Sequence, residues 1–85
     1  MQAEPKLTIN VRSMRGLISR LNKNQRMVLT RAFKPGRPNC SKISQGPLAY
    51  LIYWIEKRFH IRITPMCAFQ LRNYYRGYWA AKQGD

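Results

Sequence analysis

A mainly helical fold, three or four helices with a minor two-stranded sheet, is what this 85-residue chain predicts, on three observations. Two segments, Met14–Leu21 and Leu48–Phe59, repeat apolar residues at spacings of three and four, the period of an amphipathic helix. Two others, Leu7–Val11 and Ile61–Ile63, alternate apolar with polar residues and are too short to be helices. Hydrophobic residues make up 45% of the chain and run throughout it, so one core can draw on every segment. A chain of this size buries only about 60–65% of its unfolded surface, and a single domain over residues 1–85 is expected.

The first element is a strand over 6–11, with Leu7, Ile9 and Val11 on one face. A helical hairpin over 13–33 follows. Its first helix, behind a Ser13 cap, gathers Met14, Leu17, Ile18 and Leu21 and turns Arg12, Arg15 and Arg20 away. Asn22 to Asn24 interrupt it, Asn24 caps the second helix, and Val28, Leu29, Ala32 and Phe33 share a side with Arg26 and Arg31 outside. Two prolines, a glycine and basic residues then predict a loop over 34–46. The strongest period lies in the helix over 47–59, whose stripe is Leu48, Leu51, Ile52, Ile55 and Phe59. A short strand, 61–63, is suited to pair with the first. Thr64 and Pro65 cap and start the last helix, 65–82, with Ala68, Leu71, Tyr75 and Tyr78 inward and Phe69, Gln70, Arg72, Asn73 and Arg76 outward.

Sixteen Lys and Arg residues oppose three acids, Glu4, Glu56 and Asp85, for a formal net charge of +13. Such a charge repels itself in the free protein and calls for a polyanion. A pI near 10.8 is that of a nucleic-acid-binding domain, and arginine outnumbers lysine, which suits bidentate phosphate and guanine contacts. Nine of the sixteen cations fall between Arg12 and Lys42, with no acid among them. Arg12, Arg15, Arg20, Arg26, Arg31, Lys34, Arg37 and Lys42, with Arg62, are therefore the candidate phosphate contacts. Gln70, Arg72, Asn73 and Arg76 form a surface equipped for base edges, since arginine reads guanine and the amides read adenine. Tyr50, Tyr53, Trp54, Tyr78 and Trp79 are candidates for a partner or self-association surface.

Other functions find less support. Three acids and one histidine do not furnish the paired carboxylates or triads of acid–base catalysis, and no phosphate-cradling glycine motif occurs. Glu56 and His60, four residues apart, read as a surface hydrogen-bonded pair. No cofactor or metal is expected: Cys40, Cys67 and His60 are one short of a structural zinc site, and the two cysteines are expected to be free thiols. The longest apolar run, Pro47–Ile55, is far below the roughly 20 residues of a membrane span, and the N-terminus lacks the layout of a secretory signal. The expected location is the cytoplasm or a nucleoid.

The stretch 48–78 resembles the helix-turn-helix or winged-helix units of transposases and phage regulators. There an apolar helix ends in Phe before a short I-x-I-S/T connection, matched here by Phe59, Ile61, Ile63 and Thr64. The resemblance implies that the helix from Pro65 enters the major groove; the Gly77-Tyr78 pair stands two residues later than in that family. Gly36-Arg37-Pro38 resembles the core of an AT-hook, with Pro35 in place of the first arginine. A loop contacting backbone phosphate is the favoured reading there over minor-groove insertion. The expected function is thus a small non-enzymatic DNA-binding protein, a regulator or architectural factor, with duplex DNA favoured over RNA and a homodimer allowed. An RNA-binding ribonucleoprotein component, or a phage-type inhibitor docking on an acidic protein, are the alternatives.

Overall fold

The computed structural model describes residues 10–83. Its elements run β1 (Asn10–Val11), α1 (Met14–Arg20), α2 (Lys23–Ala32), α3 (Cys40–Gln45), α4 (Leu48–Phe59), β2 (Arg62–Ile63) and α5 (Pro65–Gln83). The fold is mainly helical with a minor two-stranded sheet, as the periodicities predict. The strands are parallel, Asn10 opposite Arg62 and Val11 opposite Ile63, and the Thr64 amide donates to the Val11 carbonyl at 3.0 Å. Residues 6–9 of the expected first strand lie outside the described residues. Parallel pairing here needs a long crossover, and α1 to α4 provide it.

Local chemistry explains most boundaries. Ser13 caps α1, its hydroxyl accepting from the Gly16 amide at 3.0 Å. Asn22, rather than the expected Asn24, caps α2: its side chain accepts from the Gln25 amide while Gln25 accepts from the Asn22 amide, a reciprocal box. Helix α4 ends at His60 in the left-handed conformation, φ 60°, its amide returning to the Glu56 carbonyl. The Glu56 side chain turns to Arg62 at 3.3 Å instead of pairing with His60. Thr64 caps α5, its hydroxyl accepting from the Cys67 amide.

The expected loop over 34–46 contains a helix. α3 is only six residues long and has one strongly apolar position, so no period marks it in the sequence. It exists because Ile43 is fully buried against the core and because α5 supplies a partner for its C-terminal end. Gly46 ends it: a side chain there would bring Cβ to 2.5 Å from the Lys42 carbonyl oxygen.

The core joins Leu17 and Leu21 of the first helical turn region, Leu29 and Phe33, Ile43, Leu51, Ile55 and Phe59, Ile63, and Cys67, Ala68, Leu71 and Tyr75 of α5. Each fully buried aliphatic contributes about 1.5–3 kcal/mol. Phe33 stacks on Tyr75 with ring centroids 5.1 Å apart, fixing the end of α2 against the middle of α5. Val28, expected in the core, is instead exposed on α2. Among the described residues no helix is long and apolar enough to cross a membrane.

Candidate nucleic-acid interface

Between α2 and α3 the chain makes two successive tight turns. Arg37 donates its amide to the Lys34 carbonyl at 3.1 Å, with Pro35 and Gly36 in the middle positions and Gly36 at φ +94°. Proline second and a positive-φ glycine third are the requirements of a type II turn. Cys40 then donates to the Arg37 carbonyl at 3.1 Å across Pro38 and Asn39. Gly36-Arg37-Pro38 is therefore folded into turns rather than extended as a groove-inserting hook would be.

These turns set Lys34 and Arg37 beside the outer face of α2. Three adjoining concavities result, and Arg31 lines all of them. One, about 360 Å³, lies between α2 and the C-terminal half of α5 and is lined by Lys23, Arg26, Met27, Thr30, Arg31, Tyr78 and Trp79. A second lies between α2, the turns and α4, where Val28, Arg37 and Pro38 meet Trp54 and Arg58. The third spans the turns themselves, from Lys34 and Arg37 to Trp79. Six cations from α2, the turns and α4 thus share one surface, and among the described residues no acid lines it. The acid among the described residues, Glu56, is engaged by Arg62.

Aromatic rings, in place of carboxylates, hold two of these six cations. The Lys34 ammonium sits 5.8 Å from the Trp79 ring and the Arg58 guanidinium 5.6 Å from that of Trp54. Such contacts stabilise by about 0.5–1 kcal/mol at exposed sites while leaving the charge free to meet an anion. Trp79 is itself anchored, its indole N–H donating to the Thr30 carbonyl at 2.9 Å. Arg26 is aimed by one bond, 2.8 Å, to the Leu21 carbonyl.

The structure brings together Arg26, Arg31, Lys34 and Arg37 from the expected phosphate set with Trp54, Tyr78 and Trp79 from the expected partner set. Two groups distinguished in the sequence are one surface. Arg12, Arg15 and Arg20 are exposed but do not line these concavities, Lys42 lies over the Tyr50 ring at 5.7 Å, and Lys57 lies over exposed Tyr53. Arg62 is paired with Glu56. On α5, Gln70, Asn73 and Arg76 are exposed as expected, with Arg76 one turn before Trp79.

Arg72 is the correction. Its guanidinium donates to the Ile43 carbonyl at 3.2 Å and to the Gly46 carbonyl at 2.6 Å, clasping the end of α3 to α5. Burial, and then the neighbouring Arg76 charge, lower its pKa. Two of its donors are spent inside the fold, so it does not stand outward as expected. Lys23 and Arg58 join this surface from outside the expected set; Arg58 is detectable in the sequence as the cation four residues after Trp54, one helical turn away.

Both cysteines are free, and among the described residues no three His, Cys, Asp or Glu side chains gather as a metal site would require. No family model, curated protein or solved structure matches the chain.

Proposed function

We propose that the chain is a small non-enzymatic DNA-binding protein, a regulator or architectural factor, that grips the sugar-phosphate backbone on the surface centred on Arg31. The observation that carries this reading is the convergence of six cations from three parts of the chain on adjoining concavities that no acid lines among the described residues. A polyanion with closely spaced charges repays that arrangement, since each neutralised phosphate releases a counterion. The α4–α5 unit, with its resemblance to a helix-turn-helix, leaves Gln70, Asn73 and Arg76 for base edges, and Arg72 positions the unit rather than reading sequence.

The test is a salt series from about 50 to 200 mM on labelled duplex DNA, structured RNA and an acidic protein mixture cleared of nucleic acid. Duplex binding should weaken steeply with salt, and Arg31→Ala, Lys34→Ala and Arg37→Ala should each reduce the magnitude of the slope by about 1. Failure to bind any duplex below micromolar concentration at low salt ends the DNA reading. Retention of an acidic protein after nuclease treatment replaces it with the inhibitor reading.

A further inference from the structure

The cleft between α2 and the C-terminal half of α5 is more than a cationic surface, because its walls carry two aromatic rings and an exposed methionine. Trp79 spends its indole N–H on the Thr30 carbonyl, and the Thr30 hydroxyl is engaged by the Arg26 carbonyl at 2.9 Å and by the Tyr75 hydroxyl at 3.1 Å. A ligand would meet the ring faces, over which Lys34 (Trp79, 5.8 Å) and Lys82 (Tyr78, 5.4 Å) lie, and the Tyr78 hydroxyl. Tyr78 stands perpendicular to Trp79, 88° apart with centroids at 5.0 Å, and Met27 of α2, 40% exposed, offers an apolar contact from across the cleft. The volume, about 360 Å³, lies in the lower part of the range for small-molecule pockets.

The rim carries the opposite chemistry. Lys23, Arg26 and Arg31 follow one face of α2 over about 12 Å at the helical rise per residue. Arg26 is held by a single bond to the Leu21 carbonyl, so four of its five N–H donors are available to phosphate oxygens. A slot lined by aromatic rings beneath a row of cations, Arg26 among them held in place, fits a planar ring joined to phosphates.

We infer that the α2–α5 cleft, walled by Tyr78, Trp79 and Met27 and rimmed by Lys23, Arg26 and Arg31, binds an unpaired base together with its flanking phosphates. The inference rests on the nucleic-acid reading above and names a preferred substrate within it: a strand containing unpaired nucleotides. A paired base has both faces covered by its neighbours and cannot enter; an extruded or single-stranded base can. Because every base has a π-face, stacking on these rings is sequence-tolerant, as in single-strand binders.

The experiment is photocrosslinking of the full chain to three strands: single-stranded DNA carrying 5-iododeoxyuridine, single-stranded RNA carrying 5-iodouridine, and a blunt duplex with the same iododeoxyuridine paired. Trypsin, cutting after Arg76 and Lys82, releases the two aromatic walls in the peptide 77–82, and Met27 leaves in the peptide 27–31. Crosslinks in these peptides are expected with an unpaired strand and not with the duplex, and whichever of DNA and RNA crosslinks identifies the source of the base. In parallel, Tyr78→Ala should weaken single-strand binding about 5- to 150-fold, well beyond any loss on duplex, while Tyr78→Phe, which keeps the ring, should bind like the parent. Circular dichroism of both variants separates lost stacking from lost fold. Crosslinks outside 27–31 and 77–82, or equal losses on paired and unpaired strands, overturn the slot while the backbone-gripping function stands. Binding to no strand at all overturns both.

Discussion

Arg72 carries a charge that looks outward in the sequence and is spent inward in the structure. Two carbonyl oxygens at the end of α3 hold it, and a charged donor is favoured at a helix C-terminus. Arg72→Ala should lower the unfolding free energy by about 1.5–3 kcal/mol, the scale of a hydrogen bond to a charged group, and leave the salt slope of binding unchanged. Denaturant melts alongside the salt series check this; a reduced slope with unchanged stability would return Arg72 to the nucleic-acid surface. Cys67 gives a pH dependence. Burial pushes its thiol from an ordinary value near 9 to about 11, and burial likewise raises the Tyr75 hydroxyl. The folded state therefore keeps these protons to higher pH than the unfolded chain. Stability from this source is complete below about pH 9 and is lost as pH rises through about 11. The urea midpoint should be level from pH 7 to 9 and fall by pH 10.5, with Cys67→Ala falling less steeply.

At the scale of elements, the turns between α2 and α3 decide where Lys34 and Arg37 stand. Gly36 at φ +94° has nothing within 4 Å of where a side chain would begin, so the cost of a substitution there is purely backbone. Gly36→Ala should destabilise by about 1–2 kcal/mol and weaken binding by displacing both cations. Equal affinity for the variant and the parent would show that the turns do not position the contact. The helices α1, α2, α4 and α5 are legible in the sequence because amphipathic period and caps are local: Ser13, Thr64 and the Leu51–Ile55–Phe59 stripe need no distant partner. α3 is illegible for the converse reason. A six-residue helix is marginal in isolation, and Ile43 and the Arg72 clasp, 26 and 29 residues away along the chain, make it persist.

On the scale of the whole molecule, the net charge of +13 acts in two opposed ways. Salt screens the self-repulsion of the folded chain, so raising ionic strength from about 0.01 to 0.15 M should raise Tm by several degrees, as about 1 kcal/mol shifts a domain of this size by 4–8 °C. The same salt should weaken binding to duplex. A Tm that falls or stays level over this range would mean that the cations are already compensated within the fold, against the arrangement seen here, where one ion pair and five cation–π contacts are present among the described residues.

Composition and local period alone settle that this chain is helical, strongly cationic and built with Gln70, Asn73 and Arg76 outward on its last helix. They do so because helix faces, caps and charge are written in residues three or four apart. Which cations act together was decided only by packing. Trp79 reaches Thr30 across 49 residues, Phe33 stacks on Tyr75, and these contacts lay the end of α5 along α2 so that Tyr78 and Trp79 join Arg26, Arg31 and Lys34. Arg72 was withdrawn from the surface by the same long-range packing. No period in a chain marks which distant carbonyl or ring a side chain will meet; that depends on the angle at which buried faces lock together.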